Sequence, residues 1–496
     1  MRTSGILLPI FSLPGKYGIG CLSQAAYDFV DFLEKSKQTY WQILPLGPTS
    51  YGDSPYQSFS TFATNPYFIS LEALVNEGLL TDKECAEVNF GKSENHIDYE
   101  ALYKNRFNVL RKAFKRANYI NDTKYEQFIK ENEYWIEDYA LYMSVKNHFG
   151  DACFSEWDED IRMRKSDALE RYKIELSDDI SFYKFLQYKF MQQWTNLKKY
   201  ANDKNIKIIG DIPIYVSYDS AEAWAHPELF ELDAKKKLIS VAGCPPDGFS
   251  ADGQLWGNPI YNWDYHNKTD FAWWKLRMKK CKELYDVIRI DHFRGFDEFY
   301  SIPADEKTAK CGKWRKGPGI SLFNSLNDIL SDINIIAEDL GFVTESVKKL
   351  VSDTGFPNMK VLEFAFDERD TGNASDYLPH NYTKNAVVYT GTHDNETVIG
   401  WLGNITEKEL SSVKKYFDYY GDDVTELADK IIRYAQLSVA DTCIIPMQDY
   451  LHLDNTARIN TPSTLGDNWV WRMRHEDLNE TLAEKIGSLT MIYGRG

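Results

Sequence analysis

Eight short apolar runs recur along the chain, at residues 5–10, 40–46, 207–215, 287–291, 335–339, 359–366, 386–394 and 443–449, and several close on an acid. Between most of them lie stretches, such as 23–35 and 344–351, whose apolar residues have the 3.6-residue spacing of an amphipathic helix. Strands that alternate with helices form a parallel sheet, because a parallel pair needs a crossover connection. Eight such units predict a closed (β/α)8 TIM barrel, in which chemistry sits at the C-terminal ends of the strands.

The 496 residues are about twice the roughly 250 of a plain barrel. The expectation is therefore one catalytic barrel over 1–496 with large insertions that are mostly helical. The interval between the second and third runs is far too long for a loop. Its stretches 99–116, 125–149 and 182–202 are apolar at helical spacing and poor in Pro and Gly, which predicts a helical insertion subdomain over 70–200. Residues 217–278 are rich in Gly, Pro and Trp and read as a loop-rich insertion over the barrel mouth.

Composition narrows the partners. Hydrophobic content of 43% with 26% charged residues fits an ordered globular chain. A formal charge of −17 repels phosphate and anionic lipid, so neither nucleic acid nor a membrane surface is an expected partner. No apolar stretch reaches the roughly 18 residues of a membrane-spanning helix. The start, MRTSGILLPIFSLPGKYGIG, is interrupted by Pro9 and has no clear cleavage site, so it reads as a first strand rather than a signal peptide. Cys21, Cys85, Cys153, Cys244, Cys281, Cys311 and Cys443 form no C-x-x-C pair, which suggests free thiols in a reducing, cytoplasmic compartment. No His or Cys set has metal-ligand spacing, and Gly15 to Gly20 fits neither a phosphate loop nor a dinucleotide fingerprint. No metal and no cofactor are expected.

Three strand ends carry the acids. In DVIRIDHFRG, Arg289 and Asp291 are two residues apart and so share a strand face. A cation there keeps a carboxylate ionised, as a nucleophile or metal ligand requires; a purely structural ion pair fits the spacing equally well. In IIAEDLG only one of two neighbouring acids can face the interior. Glu338 is taken as that residue, with Asp339 left to cap the loop or the next helix. A carboxyl in a dry pocket can hold the proton of a general acid. The third end, VYTGTHDN, carries His393 and Asp394; without a second His nearby, His393 suits a sugar hydroxyl better than a metal. Glycoside chemistry uses such a set: one carboxylate to attack the anomeric carbon, one acid to protonate the leaving oxygen, and one to hold ring hydroxyls.

The motifs SGILLPIFSLPGKYGIG, WQILPLGPTSYGDSPYQSFSTFATNPYFISL, IIGDIPIYVSYDSAEAWAHPELF, PPDGFSADGQLWGNPIYNWD, VIRIDHFRGF, IIAEDLGF, GFPNMKVLEFAFD and GTHDNETVIGW, spread over nearly the whole chain, resemble the amylomaltases, disproportionating enzymes of the α-amylase clan. The resemblance implies a 4-α-glucanotransferase acting on maltodextrins and other 1,4-α-glucans, with Asp291 as nucleophile, Glu338 as acid/base and Asp394 as transition-state stabiliser. It places Asp211, Arg289, His292 and His393 around the reacting glucose, and Tyr56, Gln254 and Trp256 along the glucan. Tyr51 resembles a tyrosine of a secondary glucan site, though a packed loop aromatic accounts for it as well. Residues 245–256, with the segment near Asn460 and Pro462, would arch over the cleft and shield a glycosyl-enzyme from water. The sequence departs from the family pattern at Pro9, Phe11 and Cys21, so no first-strand residue is assigned to the donor site.

Two other readings use the same residues. An α-amylase-type hydrolase would let water attack the intermediate, and a non-catalytic glucan-binding barrel would keep the groove without needing a buried acid.

Overall fold

The computed structural model of the chain describes residues 2–50, 52–119, 122–246, 251–341, 343–367 and 374–496. Its strands are β1 (Thr3–Leu7), β2 (Tyr40–Gln42), β3 (Lys207–Pro213), β4 (Ser240–Cys244), β5 (Gln254–Pro259), β6 (Val287–Asp291), β7 (Glu298–Pro303), β8 (Lys313–Lys316), β9 (Asn334–Ala337), β10 (Asn358–Val361), β11 (Ala386–Tyr389) and β12 (Thr442–Pro446). Eight of them close a parallel barrel in the order β1-β12-β11-β10-β9-β6-β3-β2. Each apolar run contributes one of these strands, so the TIM barrel read from the sequence is the fold.

The strands are mostly shorter than the runs, for local reasons. Pro45 and Pro48 follow β2, and proline has no N–H to give a ladder. Run 359–366 leaves the sheet at Val361 for the 3-10 turn Leu362–Phe366. Run 443–449 turns helical after Pro446, which precedes the short helix Met447–Tyr450. Leu7, Ile209, Val287, Ile336, Met359, Val361, Val387, Tyr389 and Ile444 fill the barrel interior as one buried cluster. Residues of opposite parity, such as Ile208, Ile288 and Ile335, join the larger core between the barrel and its helices.

Between β2 and β3 the chain is helical. The helix Tyr99–Arg116 starts at Asp98, whose side chain accepts from Ala101 N–H, an N-cap that satisfies one orphan donor. Arg106 on that helix is fully buried and donates to the carbonyls of Tyr67 and Ile69, tying the insertion to the segment after β2. The stretch 125–149 is two helices, Thr123–Glu131 and Glu133–His148, broken at Asn132. The helix Ser177–Asp203 packs against the second of these and leads into β3.

The interval 217–278 is less irregular than its composition predicts. It contains β4 and β5, which join β7 and β8 in a four-stranded antiparallel sheet of order β5-β4-β7-β8. The glycines that suggest loop are contact points here: a Cβ on Gly243 would lie 2.1 Å from the Gln254 carbonyl oxygen of the paired strand. Among the described residues, no helix is long and apolar enough to cross a membrane, and no group of three or more His, Cys, Asp or Glu is arranged to hold a metal ion. Among the described residues, none of the seven cysteines is in a disulfide.

Candidate active site

The register of β3 and β6 creates the floor of the site. Asp211 pairs with Arg289 and Pro213 with Asp291, so the inward face of β6 reads Val287, Arg289, Asp291 and that of β3 reads Ile209, Asp211. The buried Arg289 donates from Nη1 to Asp211 Oδ2 at 2.6 Å, and its Nη2 lies 3.1 Å from Asp291 Oδ1. Asp211 is fully buried, and the Tyr56 hydroxyl donates to the same Oδ2 at 2.7 Å. Arg289 therefore has a carboxyl on either side, one sealed beneath the site and one open to the cleft.

Glu338 follows β9, the neighbour of β6. Its Oε2 accepts from the His292 backbone N–H at 2.6 Å and its Oε1 from Leu340 N–H at 2.8 Å. His292 delivers that N–H from a left-handed conformation, with φ at 54°, which is costly for a residue with a Cβ and persists where surrounding contacts enforce it. Two backbone bonds, Glu338 N–H to Ile290 O and Phe293 N–H to Glu338 O, lock the strand ends together. Asp339 does not cap the following helix: Thr344 does that, and Asp339 accepts from Met359 N–H at 3.0 Å, fastening β9 to β10.

Asp394 lies in the turn after β11. Asn460 Nδ2 donates to Asp394 Oδ1 at 2.6 Å, and Arg458 Nη2 donates to its backbone carbonyl at 2.6 Å. The preceding His393 stacks on Tyr56 with ring centroids 5.1 Å apart and lies near Trp469. From β5, Trp256 meets the His292 ring edge-on at 4.8 Å, and its indole N–H is held by Gln254 Oε1 at 3.0 Å. Tyr56, Asp211, Gln254, Trp256, Arg289, His292 and His393 thus lie around the three acids. Tyr51 and residues 247–250 of the expected lid are outside the described residues. Residues 50 and 52, which flank Tyr51, line a separate cavity of about 1600 Å³ with Tyr67, Tyr99 and Tyr103.

Burial sets the charges. It pushes the Asp291 carboxyl well above the usual range; Arg289 opposes this, while Glu338, Asp211 and Asp394 reinforce it. Burial also raises Glu338, against the pull of Arg289 and its two N–H donors. Two acids that repel each other in a dry site titrate as a pair, so one carries a proton while the other is charged. The His292 imidazole is pushed down to about 3 by burial and by Arg294, and His393 is lowered by burial, so both rings are neutral near pH 7. The site can supply a proton, a carboxylate and neutral hydrogen-bonding groups within one pocket.

Trp469, Arg458 and Asn395 also belong to this constellation, and none was singled out from sequence. Trp469 and Arg458 sit in a stretch without hydrophobic periodicity, where Trp469 itself has a φ of 64°. Asn395 was visible only as the last letter of GTHDN.

The family model described as 4-alpha-glucanotransferase matches residues 8–478. The chain belongs to that family. It is 51% identical to the 4-alpha-glucanotransferase of Clostridium butyricum over 98% of this chain and 99% of the relative. To the 4-alpha-glucanotransferase of Streptococcus pneumoniae it is 48% identical over 100% and 97%. Among solved structures, an amylomaltase from Streptococcus agalactiae in complex with acarbose superposes with a TM-score of 0.95 at 45% identity, covering all of both chains.

Proposed function

We propose that the chain is a retaining 4-α-glucanotransferase that moves segments of 1,4-α-glucan to glucose or a maltodextrin. The observation that carries this reading is the convergence of Asp291, Glu338 and Asp394, from three strand ends, on one cleft with Arg289 beside the first. Asp291 attacks the anomeric carbon of the donor, and Glu338 protonates the leaving glycosidic oxygen. The donor bond breaks as the Asp291–glycosyl ester forms. Glu338, now a base, takes the proton of an acceptor hydroxyl, which displaces Asp291 and restores the α-linkage. Asp394 holds ring hydroxyls while positive charge develops at the anomeric carbon.

Assigning the proton to Glu338 rests on contact: the Arg289 guanidinium touches Asp291 and favours its charge, whereas among the described residues no cation lies at that range from Glu338. The neutral imidazoles of His292 and His393, with Asp211 and Arg289, bind the reacting glucose; Tyr56, Gln254 and Trp256 follow the glucan chain. Trp256 and the segment at Asn460 cover the pocket and favour a sugar acceptor over water. Residues 1–496 act as one catalytic barrel, with the helical insertion 70–200 at its side and 217–278 over its mouth. A secondary glucan site at Tyr51 is supported by the tyrosine-lined cavity that its two neighbours border. Seven cysteines outside any disulfide fit a cytoplasmic location.

Incubation of the purified enzyme with maltotriose tests the reaction. Glucose together with a ladder of longer chains is expected; shorter products alone would assign a hydrolase instead.

A further inference from the structure

Glu363 is a buried acid behind the pocket that the chemistry above does not use. It lies in the turn Leu362–Phe366 that ends β10, and its backbone N–H bonds to the Thr390 carbonyl at the end of β11. Its Oε2 accepts from Asn395 Nδ2 at 3.1 Å. The other end of that amide, Asn395 Oδ1, accepts from Thr392 N–H at 2.9 Å and from its hydroxyl at 2.8 Å. The Thr392 oxygen in turn accepts from Asp394 N–H at 3.3 Å. Packing at the start of the turn is equally tight, since a Cβ on Gly391 would lie 2.8 Å from Glu363 Oε1.

We propose that Glu363 is a positioning residue for Asp394, holding the Asn395 amide in the orientation that closes the Gly391–Asn395 turn and aims His393 and Asp394 into the cleft. The inference rests on the role given to Asp394 above. An amide has one donor end and one acceptor end, and both are used: rotating Asn395 by half a turn would set its NH2 against the Thr392 N–H. Glu363 fixes which way round it stands. Asn460 holds the Asp394 carboxyl and Arg458 its backbone carbonyl, so the relay from Glu363 supplies a further point of attachment, at the Asp394 N–H.

The groups facing Glu363 show what form it takes. Burial, with Asp449 and Glu396 opposite, pushes its carboxyl well above the usual range against the pull of Asn395 and Arg458. A neutral acid suffices to accept from an amide N–H, so glutamine should serve as well as glutamate at this position.

The test compares Glu363→Gln, Glu363→Ala, Asn395→Ala and the Glu363→Ala/Asn395→Ala double variant with the parent in maltotriose disproportionation, after thermal unfolding has verified that each is folded. Glu363→Gln should keep kcat within about 3-fold. Glu363→Ala should lose about 10- to 100-fold in kcat with KM changed less than about 3-fold, the pattern of a misplaced transition-state group. The double variant should be no worse than the poorer single one, because both changes cut the same relay. Should Glu363→Ala fail to fold, Asn395→Ala cuts the relay from its half-exposed side and must show the same loss. A Glu363→Ala enzyme with parental kcat, a Glu363→Gln enzyme as poor as the alanine variant, or multiplying losses in the double variant would each overturn the proposal. Asp394→Asn run in parallel separates the two readings: parental kcat there would remove the role of Asp394 itself, whatever Glu363 does.

Discussion

Arg289→Ala is the change whose effects on stability and rate can be worked separately. In the parent, the guanidinium lies 2.6 Å from Asp211 and 3.1 Å from Asp291. Its loss leaves the fully buried Asp211 with Tyr56 as a remaining partner. Breaking a buried pair by removing one member costs about 3–5 kcal/mol. A chain of 496 residues has an unfolding entropy of about 1 kcal/mol/K, so the melting temperature should fall by only about 3–5 °C. The rate should suffer far more. With charge centres about 4 Å apart, the attraction that keeps Asp291 ionised is worth about 4 kcal/mol at an effective dielectric near 20. Removing it lowers the ionised fraction by up to about 10³, and kcat with it. The sign fixes the pH dependence: without the cation the Asp291 carboxyl rises further, so the residual rate must climb as pH rises. Initial rates of glucose release from maltotriose between about pH 5 and 9 measure this. A variant with the expected thermal loss but kcat within about 10-fold of the parent, or with no recovery in alkali, would show that Arg289 only braces the floor.

Three further outcomes are expected. Asp291→Asn should lower turnover by at least about 10⁴-fold while maltotriose still binds, as calorimetry would show; retained turnover would place the nucleophile elsewhere. Burial raises the Asp449 carboxyl from 3.8 to about 6, so the folded state binds more protons in that window and stability falls by up to about 3 kcal/mol as pH rises through it. In Asp449→Asn that component is absent, so its melting temperature relative to the parent should improve from pH 4 to pH 7, and a constant difference would refute the assignment. Trp256→Ala should open the pocket to water and raise the hydrolytic share several-fold. Transfer conserves the number of reducing ends whereas hydrolysis creates one per event, so a reducing-end assay that finds no increase would remove Trp256 from the water barrier.

The barrel was legible because each strand carries a compact apolar run, and the three acids because they sit where those runs stop. Where pairing is long-range the sequence is mute. β4 and β7 are separated by β5, β6 and two helices, and the glycines that let β4 approach its partner are the residues that made the segment look irregular. Asp339 is no helix cap because alternation decides which of two adjacent acids faces inward, not what the other one meets; its partner is the N–H of Met359 on the next strand. Asn460 and Trp469 reach the site from a loop far beyond Asp394 in the chain; the family resemblance places the Asn460 segment over the cleft, but no spacing rule predicts either approach.

The same alternation ties the chemistry to the fold. On β6, Val287 faces the barrel interior while Ile288 and Ile290 face the helices, and Arg289 and Asp291 share the parity of Val287. A one-residue slip of β6 would turn the guanidinium and its acid into the apolar layer beneath the helices and crowd two isoleucines into the barrel. Neither surface can accept this, since an unpaired buried charge costs several kcal/mol. The charged residues of the site are therefore also register markers, and they exclude the alternative pairing in which they would be useless. The left-handed His292 follows from the same constraint. Once β6 is held in register to Asp291, the chain must turn at once for the next N–H to reach Glu338, and the strain of that turn is what joins the two reacting carboxyls into one site.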